Sequence, residues 1–311
     1  MEQICFGVDI GGTAIKLGMF DTEGHLLDKW EFATVKSSDG KALLESVASF
    51  IKDIIEEKKL CVSNIAGVGV GVPGPVIDGH IHILPNLGLS NINIEVELEK
   101  LLGLKVKAGN DANVAALGEY WMGGGKGCSS MVMVTLGTGI GGGIIINGQL
   151  VVGSNGAGGE IGHIPVNEAE TRKCGCGKTG CLEQYSSATD IVRLANEKLD
   201  GSSEPSLLRS HDTLSAKAVL DGAKAGDELA LNVVEEACRY LGKALACVAQ
   251  VIDPQAFVIG GGVSKAGEII TKTTQKYYES LVMDVLKNKE FRLAILGNDA
   301  GIYGAAKLVI G

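Results

Sequence analysis

The chain has 311 residues, 45% of them apolar, which is enough for two domains with cores of ordinary size. A formal net charge of −9 argues against unspecific nucleic-acid binding, which needs a positive field. No apolar run reaches the roughly 18–20 residues that cross a bilayer, and Met1-Glu2-Gln3 leads into a strand without a leader pattern, so a cytoplasmic location with no membrane partner is expected.

Ile4–Ile10, Ala14–Phe20 and His25–Thr34 read as three strands, the last two joined by the turn Asp21-Thr22-Glu23-Gly24. Lys41–Lys59 carries Leu44, Val47, Phe50, Ile51 and Ile54 at helical spacing. Ile65–Val72 is a buried strand ending at Pro73-Gly74-Pro75. Glu95–Leu102 reads as a helix, Lys105–Ala108 as a strand and Ala112–Trp121 as a helical run. Three strands follow again, Ser130–Leu136, Gly142–Ile146 and Gln149–Gly153. Beyond an insertion with three cysteines come helices at Ala188–Leu199, Ser215–Ala225 and Asp227–Ile252. Ala256–Ile259 is a strand leading into Gly260-Gly261-Gly262, with a helix expected from Ser264 to Leu286. Arg292–Leu296 is the last strand and Gly301–Val309 the last helix. The partly repeated order βββαβα predicts two α/β domains: 1–109 together with a helix at about 298–311, and 110–297.

Glycine occurs 45 times, about twice its usual share of roughly 7%, and much of the excess clusters beside apolar strands. Gly7–Lys16 and Met133–Gly143 are each a strand, a Gly/Thr turn and a second strand. Glycines let the backbone approach a bulky anion and turn its N–H groups toward it. Thr13 and Thr138 each add a hydroxyl donor, and the two turns read as jaws for a nucleotide's phosphates. Commoner phosphate motifs fail. Gly177-Lys178-Thr179 lacks the first glycine of a Walker A loop, where Arg172 stands. Gly137 to Gly142 and Gly69 to Gly74 match G-x-G-x-x-G, but a dinucleotide site needs a helix next. A β-branched hairpin strand follows the first and Pro75-Val76-Ile77-Asp78-Gly79 the second.

Of eight cysteines, Cys5, Cys61, Cys128, Cys238 and Cys247 lie scattered among apolar residues and read as small buried hydrophobes. Cys174, Cys176 and Cys181 bring three sulfurs into one small loop, a metal site in a cytosolic chain, with free thiols as the alternative. Asp111 lies between a strand and a helix, where it is either an N-cap or a carboxylate that accepts a hydroxyl proton. Asp9, before the first turn, either holds magnesium through waters or bonds its own backbone. Lys16 carries no assigned role, a solvated charge being one reading; taken alone, Pro85-Asn86 has a turn and Glu160 a surface position as its alternative reading. His80 and His82 read as exposed hairpin residues, and His25 and His211 show no partner.

Five blocks in this order resemble the ROK family of bacterial repressors and sugar kinases, within the actin-like ATPase superfamily. They are Asp9-Ile10-Gly11-Gly12-Thr13, Gly109-Asn110-Asp111-Ala112-Asn113, Leu136 through Gly142, Gly159-Glu160-Ile161-Gly162-His163, and the run from Cys174 to Glu183. The resemblance covers essentially the whole chain. It implies two actin-like, ribonuclease H-like α/β domains with nucleotide and sugar in the cleft between them. Repressor members carry a DNA-binding helix-turn-helix ahead of the first block, which here begins within ten residues of Met1, so the chain resembles the glucokinase-like branch. The implied activity is ATP- and magnesium-dependent phosphorylation of a hexose 6-hydroxyl, glucose first. N-acetylmannosamine, N-acetylglucosamine, mannose, fructose and allose are the alternatives.

The resemblance also implies roles. Asp111 is the catalytic base and Asp9 the magnesium holder, through water. Gly11, Gly12, Thr13, Gly137, Thr138 and Gly139 contact phosphates, and Gly260, Gly261 and Gly262 border the adenosine. Asn86, Asn110, Asp111, Glu160, His163 and Glu183 contact the sugar. His163 joins Cys174, Cys176 and Cys181 around a structural zinc, one ring nitrogen on the metal and the other facing the sugar. A homodimer is the family's default. The chain departs from the family at Gly109, where many members have an acidic residue, and at Leu89, where several glucokinases carry an aromatic one. Two rival classes are a sugar sensor without catalysis, which would keep Glu160 and His163 but lose Asp111 or a turn, and a zinc nucleic-acid module. The second needs a basic face, whereas Arg172, Lys173 and Lys178 are basic only locally.

Overall fold

The computed structural model describes residues 3–35 and 40–310, and the chain divides into two compact units. Unit 1 is Met1–Lys126, Leu150–Gly158 and Asn298–Gly311; unit 2 is Gly127–Gln149 and Gly159–Gly297.

Unit 1 begins with β1 (Ile4–Ile10), β2 (Ala14–Asp21) and β3 (Leu26–Ala33), then α1 (Lys41–Glu57) and β4 (Ile65–Val72). A hairpin of β5 (His80–Leu84) and β6 (Leu89–Asn93) precedes α2 (Ile94–Leu102), β7 (Val106–Asn110) and α3 (Asp111–Met122). The five-stranded sheet runs β3-β2-β1-β4-β7, with β1, β4 and β7 parallel and β2 and β3 antiparallel.

Unit 2 repeats the plan. It has β8 (Met131–Leu136), β9 (Ile140–Ile146) and β10 (Gln149–Leu150), then α4 (Glu183–Ser186), α5 (Ala188–Asp200), α6 (Ala216–Lys224) and α7 (Glu228–Ile252). After them come β11 (Ala256–Gly260), α8 (Gly261–Ser264), α9 (Glu268–Glu279) and β12 (Glu290–Leu293). The sheet order β10-β9-β8-β11-β12 matches that of unit 1, with β8, β11 and β12 parallel. Val132, Val134, Phe257 and Ile259 of this sheet are buried with Val233, Leu241 and Leu245 of α7. The final helix, α10 (Ala300–Ile310), returns to unit 1.

Alternation along β1 explains how unit 1 is layered. Phe6, Val8 and Ile10 join Leu43, Leu44, Val47 and Ile51 of α1 in one core. Cys5, Gly7 and Asp9 point to the other side, where α10 lies. That helix approaches backbone to backbone. A Cβ on Gly7 would stand 1.9 Å from the Ile302 carbonyl oxygen, and one on Gly69 of β4 1.7 Å from that of Ala305. A Cβ on Gly304 of α10 would stand 1.5 Å from the Val114 carbonyl oxygen in α3, and one on Gly118 of α3 2.3 Å from that of Ala300. The expected boundary between residues 109 and 110 therefore falls inside unit 1, because α3 is packed against α10.

Other expectations need correction. The long helix from Ser264 to Leu286 is broken into α8, α9 and a 3-10 turn at Asp284–Leu286, since Gly267 ahead of α9 takes φ 80°. The strand expected over Gln149–Gly153 is only two residues long, and Cys61 and Cys247 are exposed rather than buried. His80 and His82 are exposed on the β5–β6 hairpin. His25 does have a partner: its Nδ1 lies 2.7 Å from Asp21 Oδ2, and that carboxylate raises the imidazole pKa. Among the described residues no helix is long and apolar enough to cross a membrane.

The packing of α10 predicts a sharp size limit. Gly304→Ala should destabilise the protein by about 2 kcal/mol or more, as overpacking of a core does, and lower its melting temperature by several degrees. Gly175→Ala, at a position with open space around it, is the control and should melt like the parent. Calorimetric melting of both variants checks this; equal melting of Gly304→Ala and parent would contradict the packing.

Candidate functional site

In unit 1 the candidate residues gather at the carboxyl ends of the parallel strands, where α/β sheets hold their ligands. Asp9 is level with Gly71 across β1 and β4, Gly71 with Gly109 across β4 and β7, and Val72 with Asn110. Val114 of α3 sits on the two glycines. A Cβ on Gly71 would stand 2.7 Å from its Cγ2, and one on Gly109 3.1 Å from its Cγ1. Gly109 thus lets α3 begin close to the sheet.

The helix cap is Asn110, not Asp111. Asn110 Oδ1 accepts from Asn113 N at 3.1 Å, while its Nδ2 donates to the Gly74 carbonyl at 3.2 Å and to Asp111 Oδ1 at 3.0 Å. Asp111 is the first helical residue, exposed, and its Oδ1 also accepts from Ala112 N at 2.8 Å. Its carboxylate is therefore held in place at the first turn of the helix.

Asp9 is half-buried, with Gly301 beside it: a Cβ there would stand 2.7 Å from Asp9 Oδ2. Burial pushes the Asp9 carboxyl up to about 6, and the negative charge of Asp111 adds to the shift. Lys16, directly opposite Asp9 across β1 and β2, pulls the other way. A carboxyl raised by burial and by a neighbouring carboxylate belongs to a donor set that a hard divalent cation relieves. Lys16 is more than a solvated charge, since its Nζ donates to the Asn298 carbonyl at 2.9 Å, just ahead of α10.

The first glycine turn closes through Gly11 N to the Ala14 carbonyl at 3.0 Å. Thr34 grips it from outside, its Oγ1 donating to the Gly11 carbonyl at 2.7 Å and its N to the Thr13 carbonyl at 3.0 Å. Asn86 is exposed in a short 3-10 turn at Pro85–Leu87. Leu89 is a core residue, 1% exposed and packed on Gly40, so the departure there concerns packing.

In unit 2 the second turn closes through Gly137 N to the Gly139 carbonyl at 2.9 Å. Ala188 N donates to the Gly137 carbonyl and Thr189 Oγ1 to the Thr138 carbonyl, each at 2.8 Å. Glu183 Oε2 accepts from Ile140 N at 2.9 Å, and a Cβ on Gly139 would stand 2.2 Å from that oxygen. Gly261 needs its φ of +81°, and a Cβ there would stand 2.4 Å from the Leu136 carbonyl oxygen. Gly262 instead faces open space, at the wall of a recess of about 340 Å³ lined also by Ala188, Lys217, Leu220, Val263 and Ala266. That volume suits a nucleoside-sized ligand.

The three clustered cysteines and His163 come together. Their donor atoms all lie within 4.8 Å of one another, with Cys174 Sγ to His163 Nδ1 and Cys176 Sγ to Cys181 Sγ both 3.6 Å. A tetrahedral zinc site with bonds near 2.3 Å has edges of about 3.8 Å, so the set fits this ion. Burial pushes the Cys181 thiol up to about 12 and also raises Cys174. Thiols so disposed stay protonated unless a cation displaces the proton. His163 Nε2 points the other way, 3.8 Å from Glu160 Oε2, and Glu160 is exposed. Glu183 Oε1 lies 3.6 Å from Cys174 Sγ, so this carboxylate touches both the cysteine loop and the second turn.

Gln184 anchors the loop from behind. Its Oε1 accepts from Cys181 N at 3.1 Å and its Nε2 donates to the Arg172 carbonyl at 2.9 Å. Arg172 in turn pairs with Glu170 at 3.0 Å and Asp190 at 3.3 Å. Sequence reasoning missed Thr34, Thr189, Gln184 and this role of Arg172. Thr34 and Thr189 act on segments 23 and 51 residues away, and Gln184 and Arg172 fold back on the cysteine loop and its flanks through contacts that no motif spacing marks.

Comparison with known proteins identifies the family. A family model described as the ROK family matches residues 5–311. A glucokinase of Halalkalibacterium halodurans is 42% identical over 97% of this chain and 94% of its own. An N-acetylgalactosamine kinase of a Shewanella strain is 34% identical over 97% of this chain and 96% of its own. The crystal structure of a ROK family glucokinase from Streptomyces griseus in complex with glucose and AMPPNP has a TM-score of 0.77 and 34% identity, covering 98% of each chain. From its two repeated α/β sheets to its blocks of site residues, this chain belongs to the ROK family.

Proposed function

We propose that this protein is an ATP-dependent hexose kinase, a glucokinase, that transfers the γ-phosphoryl group of ATP to the 6-hydroxyl of glucose. The observation that carries the proposal is Asp111. Its carboxylate is fixed by Asn110 and Ala112 N at the end of β7, in the unit that also holds Asp9 and a glycine turn. Full-length similarity to glucokinases supports glucose as the substrate.

Phosphoryl transfer needs positioning and charge stabilisation more than covalent help. Asp111 accepts the proton of the attacking hydroxyl, which is a poor nucleophile until that proton leaves. The amides of Gly12, Thr13, Thr138 and Gly139 hold phosphate oxygens, while Gly11 and Gly137, whose N–H groups close the turns, let the phosphates approach for want of a side chain. The recess beside Gly262 takes the adenosine. Asp9, through water, would hold a magnesium ion, whose chemistry is to neutralise charge on the β- and γ-phosphates. Asn86, Glu160, His163 and Glu183 offer the donors and acceptors that a ring of hydroxyls requires. Asn110 has both its donors committed within the protein, so its contact to sugar is through Oδ1. His163, Cys174, Cys176 and Cys181 would hold a zinc ion whose part is structural, fixing the loop from which Glu183 reaches. Presence of Asp111 and both turns argues against a sensor without catalysis.

A coupled assay of ADP release over a panel of hexoses and N-acetylhexosamines tests the reading. Glucose should give the highest kcat/KM; release with no sugar would overturn the kinase assignment, and a preferred N-acetylhexosamine would reassign the substrate. Asp111→Asn should lower kcat by roughly 10²–10⁴, while calorimetry finds glucose affinity within a few-fold of the parent. A variant that keeps parental kcat would remove Asp111 from the chemistry.

Elemental analysis of untagged protein should find about one zinc ion per chain, as a closed four-ligand site binds. Cys176→Ser, at an exposed position, should lose that zinc and weaken glucose binding. A metal-free preparation with unchanged glucose affinity would contradict the role given to the loop.

A further inference from the structure

The two glycine turns are held by the same device. In unit 1, Thr34 Oγ1 reaches back 23 residues to the Gly11 carbonyl at 2.7 Å. In unit 2, Thr189 Oγ1 reaches back 51 residues to the Thr138 carbonyl at 2.8 Å. A backbone N–H adds a second grip in each, from Thr34 to the Thr13 carbonyl and from Ala188 to the Gly137 carbonyl. The first N–H of α5 is therefore committed to the turn, and its Asp190 N is capped by Ser187 Oγ at 3.1 Å.

These grips set where the amides point. In a trans peptide the C=O and N–H of one group face opposite ways, and the described residues contain no cis bond. The Gly11 carbonyl drawn toward Thr34 aims the N–H of Gly12 away from it. The Gly137 and Thr138 carbonyls drawn toward α5 aim the N–H groups of Thr138 and Gly139 away from that helix. Among the described residues none of these three N–H groups donates to a partner, and the space around Gly12 is open. Successive amides aimed one way form an anion-binding concavity.

We propose that Thr34 and Thr189 are positioning residues for the nucleotide: each hydroxyl pins a carbonyl of one glycine turn so that the amides on its other side are presented to phosphate. The proposal rests on the kinase reading above and names residues that no phosphate motif contains. Neither threonine touches the phosphate itself. Each acts by denying its peptide groups the freedom to rotate, which is ordering done before the ligand arrives. Valine at either position keeps the branched shape and removes the donor. Serine keeps the donor.

Calorimetric titration of ADP with magnesium, and of glucose alone, into the parent, Thr34→Val, Thr189→Val and Thr189→Ser tests this. Each valine variant should bind ADP roughly two- to tenfold more weakly, the effect of one lost hydrogen bond. Thr189→Ser should recover parental affinity. Glucose affinity should stay at its parental value throughout, and melting temperature should fall by no more than the few degrees that one lost hydrogen bond costs. Parental ADP affinity in both valine variants would overturn the positioning role while leaving the kinase reading intact. So would a parallel loss of glucose affinity and melting temperature, which marks a merely structural residue. A parent protein that binds no ADP would overturn the kinase reading, and this proposal with it.

Discussion

The arrangement of unit 1 depends on one steric fact: at four points α10 meets β1, β4 and α3 with no side chain between the backbones. Gly7, Gly69, Gly118 and Gly304 are the points of contact, and at each a methyl group would stand within about 2.3 Å of a carbonyl oxygen. Dispersion attraction falls steeply with distance, so such closeness is rewarded only if every neighbour is equally small. The result is a rigid three-way joint. It fixes the start of α3, and thereby Asp111, relative to the end of β1, and thereby Asp9. The charge of Asp111 is felt at Asp9 because of this joint.

Unit 2 has the same sheet order but solves its packing differently. Its β8 and β11 bury valine, phenylalanine and isoleucine against long α7, a conventional side-chain core. Positioning of its candidate residues falls instead to polar links. Glu183 ties the cysteine loop to the second turn, Gln184 ties that loop to Arg172, and the first residues of α5 hold the turn's carbonyls. A hydrogen-bonded frame of this kind is only as firm as its least satisfied member. A metal among Cys174, Cys176, Cys181 and His163 would lock the corner of it where the cysteine loop meets Glu183.

What was legible in the sequence was whatever had a period or a fixed spacing. The strands Ile4–Ile10 and Ile65–Val72, the helices around Lys41 and Asp227, both glycine turns and the cysteine cluster all carry such a signal. The boundary of unit 1 does not, because α3 belongs to its unit through Gly118 and Gly304, nearly two hundred residues apart in the chain. The break at Gly267 was missed because apolar spacing continues through it, while the backbone there is left-handed. At Asp111 the residues alone left a cap and a proton acceptor open, because Asp commonly caps helices; Asn110 takes the cap, which frees Asp111 for other chemistry. Thr34 and Thr189 were invisible because a hydroxyl bonded to a distant carbonyl has no sequence signature.

The return of α10 to unit 1 also sets an order on the ribosome. β1 is made within the first ten residues, but the helix that covers its glycine face is made only at 300–310. At translation rates of about 5–20 residues per second, that face waits some 15–60 seconds for its partner. The segments of unit 2 are complete before then. The nascent protein therefore carries an unfinished first unit through most of its synthesis, with Gly7 and Gly69 offering no side chains that a wrong partner could grip. At its glycines that face packs tightly only against this helix, while Cys5 and Phe20 beside them wait for Ile302, Ala306 and Val309 to cover them.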